Sequence, residues 1–104
     1  MIKIKLFCAA GFSTGMLVDK MIEAAKEKGI EVDIEACSQH ELGKCLENLD
    51  VALLGPQVGY TLPKSKKICD EKCVPIGVIP MTDYGTMNGE KVLNFALDLI
   101  EESK

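Results

Sequence analysis

The chain has 104 residues, the size of one domain, and we expect residues 1–104 to fold as a single unit. Its net charge of -4 provides no overall positive field that would attract nucleic acid. No apolar run approaches the roughly 18–20 residues needed to span a bilayer, and no signal-peptide pattern opens the chain, so we expect a cytoplasmic protein.

The first predicted strand is the apolar run 2–8, which ends at Cys8. Small residues follow it, and an amphipathic stretch from Met16 to about Lys28 predicts a helix that ends at Gly29. A thiol between a strand end and a helix N-terminus lies among unpaired backbone N–H groups, at the positive end of the helix dipole. Both features favour the nucleophilic thiolate, and a loop of small residues can curl around a tetrahedral anion. The pattern therefore predicts a phosphoryl group carried on sulfur.

Three further apolar runs, 30–37, 50–55 and 74–79, alternate with segments of helical spacing. Ser38 and Glu41 form a capping-box pattern ahead of a second helix, a third runs from about Leu62 to Lys72, and Asn88 can cap the fourth. The order β-α-β-α-β-α-β-α predicts an α/β fold: one doubly wound, four-stranded parallel sheet with helices on both faces.

Ligands of such sheets lie beyond the carboxyl ends of the strands, at a switch in strand order. Besides Cys8–Gly15, the loops 55–60 and 80–88 should meet that edge, and they contain Gln57, Tyr60, Asp83 and Tyr84. A binding role is one interpretation of these loops, and ordinary turn chemistry is the other.

The other cysteines predict no chemistry of their own. Cys37 and Cys45 have the spacing of small core residues, and without an export signal we expect reduced thiols. Cys69 and Cys73, four apart on a predicted helix, could form half a metal site, but no second pair or histidine cluster completes it. We expect no metal and no cofactor, and we expect the single histidine, His40, to lie on the surface.

Three segments resemble one known family. They are Cys8–Val18, Leu53–Tyr60 and Asp83–Gly89, and the resemblance covers essentially the whole chain. The family is the lactose/cellobiose-type enzyme IIB of the bacterial phosphoenolpyruvate-dependent sugar phosphotransferase system.

The resemblance implies a phosphotransferase that works as a phosphocarrier. Cys8 would accept a phosphoryl group from a phosphohistidine of enzyme IIA. It would pass that group to a sugar, expected to be a disaccharide, imported by the membrane enzyme IIC, so the protein would meet the inner face of the membrane transiently. The phosphoryl oxygens would be held by the backbone amides of Ala9, Ala10, Gly11, Phe12, Ser13, Thr14 and Gly15, with added hydroxyls from Ser13 and Thr14. Gln57, Tyr60, Asp83 and Tyr84 would border the site and face the partners.

Two other classes are weaker alternatives. Low-molecular-weight tyrosine phosphatases, which the predicted fold resembles, carry a Cys-x5-Arg loop whose arginine clamps the phosphoryl group. Here Thr14 stands at the arginine position, and the sequence contains no arginine at all. A thiol-redox or flavin protein would need a Cys-x-x-Cys pair or an aromatic platform, and the chain has neither that pair nor a tryptophan.

Overall fold

The computed structural model describes residues 1–8 and 12–103, with the backbone alone at 12–14. Four strands form one sheet, in the positions that the apolar runs predict. They are β1 (Ile2–Cys8), β2 (Val32–Ser38), β3 (Val51–Leu54) and β4 (Ile76–Val78). All neighbouring pairs are parallel and the order is β2-β1-β3-β4, so the predicted doubly wound sheet is confirmed.

The helices are α1 (Phe12–Lys28), α2 (Leu62–Glu71), α3 (Met81–Gly85) and α4 (Gly89–Glu102). Two 3₁₀ helices, Gln39–Lys44 and Pro56–Thr61, follow β2 and β3. Gly29 ends α1 with φ of 71°, the left-handed conformation that a helix C-cap needs. Asn88 caps α4 by accepting a hydrogen bond from the Lys91 backbone N–H at 3.1 Å.

Each face of the sheet buries its own apolar cluster. Ile4, Leu6 and Cys8 of β1 project toward α1 and α4, where the helices contribute Leu17, Met21 and Leu93 among others. Phe7 of β1 projects to the opposite face and packs in a second cluster with residues of β3, α2 and the 3₁₀ helices, including Leu54, Val58 and Cys69. The alternation along one strand therefore separates the two layers, because successive side chains of a strand point to opposite faces.

Four sequence expectations about secondary structure are wrong. Helix α1 begins at Phe12 rather than Met16, so residues 12–15 belong to its first turn. The second helix is only a short 3₁₀ helix in which the Ser38 hydroxyl accepts from the His40 N–H at 3.3 Å, and Gly43 inside it is a poor helix former. The segment 80–88, expected to be a loop, contains α3. Cys73, expected on the same helix as Cys69, lies beyond the end of α2 with φ of 59°.

The two helices on the first face cross closely where α4 begins. A Cβ atom at Gly89 would fall on the backbone carbonyl of Lys20 in α1. Within the described residues, no helix has both the length and the apolar character that a membrane crossing requires.

Candidate active site

Cys8 lies at the switch point of the sheet. It is the last residue of the inner strand β1. The chain continues from β1 to β2 on one side of it, and then from β2 to β3 on its other side. The residue after β3 is Gly55, and its backbone N–H donates to the Phe7 carbonyl at 3.0 Å, which holds the ends of the two strands side by side. This is the position at which open α/β sheets bind ligands.

The Cys8 thiol occupies space that is available because residue 55 has no side chain. An ideal Cβ at Gly55 would lie 2.6 Å from Cys8 Sγ and 3.1 Å from Gln57 Oε1. Gly55 has ordinary extended torsions, φ of -64° and ψ of 150°, so the glycine serves the close approach and not an unusual turn. Cys8 Sγ and the Gln57 amide therefore border the same small volume.

The residues predicted to hold phosphate lie only partly within the described structure. Ala9, Ala10 and Gly11 lie outside the described residues, as do the side chains of Phe12, Ser13 and Thr14. Gly15, expected in the loop, lies in α1 and is half-buried, where it lines a groove of about 640 Å³ between α1 and the edge strand β2. Helix α1 starts at Phe12, four residues after Cys8 at the end of β1, so its N-terminus is close to Cys8 along the chain.

The four residues predicted to face partners differ in exposure. Tyr60 is 78% exposed and Gln57 is exposed, whereas Asp83 is half-buried. Tyr84 departs from the expectation: it is only 6% exposed and belongs to the same buried cluster as Cys8, because α3 turns its ring toward the core. Its side chain is therefore part of the support beneath the site and not of the surface.

Two exposed methionines were not identified from the sequence. Met16 in α1 and Met81 at the start of α3 are 61% and 71% exposed, and like Tyr60 each follows the carboxyl end of a strand by a short stretch. Three large apolar side chains are therefore exposed in the segments that follow the carboxyl ends of β1, β3 and β4. No periodicity in the sequence distinguishes the two methionines from core methionines.

Three of the other cysteines have properties that disfavour a nucleophilic role at this site. Burial raises the pKa of the Cys69 thiol from the usual 9.0 to about 11. Burial, and then the neighbouring Cys45, raises the pKa of Cys37 to about 11 as well. Both thiols are protonated at neutral pH, and the thiolate is the reactive form. Cys73 is exposed but lies past the end of α2, next to the start of β4 and away from the carboxyl edge.

Metal-binding clusters are absent from the part of the chain that the structure describes. No three His, Cys, Asp or Glu side chains within residues 1–8 and 12–103 are grouped as ligands. His40, as expected, is exposed.

Comparison with known proteins gives consistent matches along the whole chain. The model of the family described as "PTS system, Lactose/Cellobiose specific IIB subunit" matches residues 3–95. The chain is 43% identical over 102 residues to the galactose-specific EIIB component of Lactococcus lactis subsp. cremoris (strain MG1363), covering 93% of this chain and 94% of that protein. It is 42% identical, with the same coverage, to the cellobiose-specific EIIB component of Lactococcus lactis subsp. lactis (strain IL1403).

A solved structure gives the same result for the fold. The solution structure of the cellobiose-specific phosphotransferase IIB component from Borrelia burgdorferi superposes with a TM-score of 0.81 at 40% identity. The match covers 99% of this chain and 94% of that one.

Proposed function

The chain belongs to the lactose/cellobiose-specific IIB family of the sugar phosphotransferase system and is therefore a phosphotransferase component. From that membership we propose that Cys8 is the residue that carries the phosphoryl group. The donor is a phosphohistidine of enzyme IIA, and the acceptor is a sugar held by the membrane enzyme IIC. The protein then works in the cytoplasm and meets the membrane only through IIC.

The observation that carries the proposal is the position of Cys8. Its sulfur lies at the carboxyl end of β1, at the switch point, in a space that Gly55 leaves open. Helix α1 begins four residues later, and a helix N-terminus stabilises negative charge near it. The backbone amides of residues 9–15, proposed to hold the phosphoryl oxygens, belong to this short connection and first turn.

The two transfer steps balance without a cofactor. In the first, the Cys8 sulfur attacks phosphorus, the S–P bond forms and the N–P bond of phosphohistidine breaks; the imidazole nitrogen keeps the electron pair and gains the proton that the thiol has lost. In the second, a sugar hydroxyl oxygen attacks phosphorus, the S–P bond breaks, and the thiol is restored as the hydroxyl gives up its proton. Both steps depend on positioning and on charge stabilisation.

Direct transfer requires that each partner bring its reacting atom next to Cys8, which is 4% exposed. The exposed side chains of Met16, Tyr60 and Met81 lie in the segments that follow the carboxyl ends of β1, β3 and β4. We propose that these three side chains contact IIA and IIC in turn, and that Gln57 and Asp83 lie beside them. Relatives of nearly equal identity are named for galactose and for cellobiose, so we assign the choice of sugar to IIC.

The experiment that tests the proposal is labelling by phosphorylated IIA. Cys8→Ala should abolish labelling, because the proposed phosphoryl acceptor is removed. The chain should stay folded, because only one sulfur atom is removed from a large apolar cluster. Cys73→Ser, at an exposed thiol, is the matched control and should label as the native chain does. A phosphopeptide that maps to Cys37, Cys45, Cys69 or Cys73 would contradict the assignment.

The same label separates a carrier from a phosphatase. After the donor is removed, phosphate on Cys8 should persist for much longer than a transfer step takes, and it should leave when IIC and its sugar are added. The reason is that hydrolysis requires an activated water, and the phosphatases also use the arginine that this sequence lacks. Rapid release of inorganic phosphate from the isolated protein would support the phosphatase instead.

A further inference from the structure

We propose that Gln57 touches the phosphoryl group on Cys8 through its side-chain amide, and so is a catalytic residue of the transfer and not simply a border residue of the docking surface. The inference rests on the proposed function, because it requires that Cys8 carry phosphate. It assigns a side-chain ligand from the connection after β3, in addition to the backbone amides proposed for the connection after β1.

The geometry follows from the one point that both groups approach. The ideal Cβ position of residue 55 is 2.6 Å from Cys8 Sγ and 3.1 Å from Gln57 Oε1. The sulfur and the amide are therefore within about 6 Å of each other, or roughly two hydrogen-bond lengths. A phosphoryl oxygen is two bonds from the sulfur, and one hydrogen bond of about 2.9 Å spans the remaining distance to the amide.

The loop that carries Gln57 is fixed on both sides of it. Pro56 restricts the backbone before it, and Val58 after it is 1% exposed in the second apolar cluster. The Val58 N–H donates to the Gly55 carbonyl at 3.0 Å, and the Thr61 hydroxyl donates to the Val58 carbonyl at 2.7 Å. A Cβ at Gly59 would meet Val78 at 3.3 Å, so the loop also packs tightly on β4. The backbone that carries the exposed Gln57 side chain is thus held in place on both sides of the residue.

A glutamine amide suits both states of the site. Its oxygen can accept a hydrogen bond from the unmodified thiol, and its NH₂ group can donate to a phosphoryl oxygen after rotation about the last side-chain torsion. The amide carries no charge, so it can stabilise the phosphoryl group without binding it as strongly as an arginine would, and a carrier has to release its phosphate to the next acceptor.

The test compares two variants of Gln57 in the complete chain. Gln57→Leu keeps the size but removes the donor, and Gln57→Glu places a negative charge beside the phosphoryl group. Transfer from phosphorylated IIA at saturating IIA should slow at least tenfold in Gln57→Leu and further in Gln57→Glu. Asn48→Asp is the matched control, since Asn48 is exposed, precedes β3 at the opposite end of the sheet, and gains the same charge.

A second measurement separates contact with phosphate from contact with IIA. Each protein is labelled to completion and freed of IIA, and the phosphorus NMR signal and the rate of phosphate loss of the isolated phosphoprotein are recorded. We expect both to change in the two Gln57 variants and neither to change in Asn48→Asp.

Three outcomes would overturn the inference. The first is a native transfer rate in Gln57→Leu. The second is a slower transfer that saturating IIA restores to the native rate, together with a native phosphorus signal in the isolated phosphoprotein, because a residue that only docks IIA would give this combination. A native chain that takes up no phosphate on Cys8 would remove the proposed function itself, and with it this contact.

Discussion

At the scale of single residues, the space beside the Cys8 thiol depends on the missing side chain at position 55. A methyl group there would lie 2.6 Å from Sγ, well inside van der Waals contact. The sulfur can escape by rotating about χ1, whereas the buried backbone of Gly55 is held by its hydrogen bond to Phe7. The conflict therefore displaces the nucleophile more than it disturbs the fold.

Gly55→Ala should accordingly impair transfer more than stability. We expect the rate of Cys8 phosphorylation to fall by about 100-fold, the scale of a misplaced reacting group. The loss of stability should be at the low end of the ~1–3 kcal/mol typical of over-packed sites. Transfer kinetics and urea unfolding measure the two effects. Gly43→Ala is the control, because a Cβ there meets nothing within 4 Å; a native rate in Gly55→Ala would show that the thiol has room to spare.

At the scale of elements, α4 packs against α1, and the two helices together cover the face of the sheet toward which Cys8 projects. Both helices contribute to the apolar cluster that contains Cys8, and their backbones lie close together at Gly89, the first residue of α4. The atoms that a Cβ would strike belong to the α1 backbone, at Lys20 and Met21, and a backbone inside a helix cannot rotate away as a thiol can. A small residue at position 89 therefore sets the distance between the helices.

Gly89→Ala should lower the free energy of unfolding by about 1–3 kcal/mol, or more if the helices cannot separate. The measurement is the urea midpoint together with the slope of the transition, which should stay native if the fold is unchanged. Gly85→Ala, in α3, is the matched control because a Cβ there has nothing within 4 Å. Equal stability of the two variants would mean that the crossing adjusts without cost.

At the scale of the whole molecule, two thiols couple stability to alkaline pH. The folded pKa of Cys69 and of Cys37 is about 11, above the ordinary value of 9.0. The folded state holds these protons more tightly than the unfolded chain does. The contribution of the two protonated thiols to the free energy of unfolding is therefore fully present below about pH 9 and is lost as the pH rises through 11. Cys69, which is fully buried, is the clearer case.

We therefore expect a smaller alkaline loss of stability in Cys69→Ala than in the native chain. Urea midpoints at about pH 7.5 and pH 10.5 give the loss for each protein, and the difference between the two losses cancels the titration of lysines and tyrosines that both share. The variant starts less stable at neutral pH, since it leaves a small cavity. An identical pH dependence in the two proteins would show that Cys69 ionises as easily when folded as when unfolded.

Much of this molecule could be predicted from signals that are local in the sequence. Apolar runs identified all four strands, Gly29 and Asn88 marked helix ends because caps depend on a few neighbouring residues, and alternating strands and helices predicted a parallel sheet. The same local signals predicted a strand that ends at Cys8, which the structure confirms, and three segments indicated the family that the comparisons confirm.

The tertiary structure decided what depends on distant residues meeting. The capping-box pattern at Ser38 predicted a full helix, but Gly43 lies within the segment and the structure has only a short 3₁₀ helix there. The resemblance placed Tyr84 on a loop that faces partners, whereas tertiary packing buries its ring in the cluster that contains Cys8. The closeness of Cys8 to Gly55 and Gln57 arises from the strand order β2-β1-β3-β4 and from the register that places Phe7 opposite Leu54. These pairings join residues more than 45 positions apart, and the spacing of apolar residues within a strand or helix carries no information about which other strand will lie beside it.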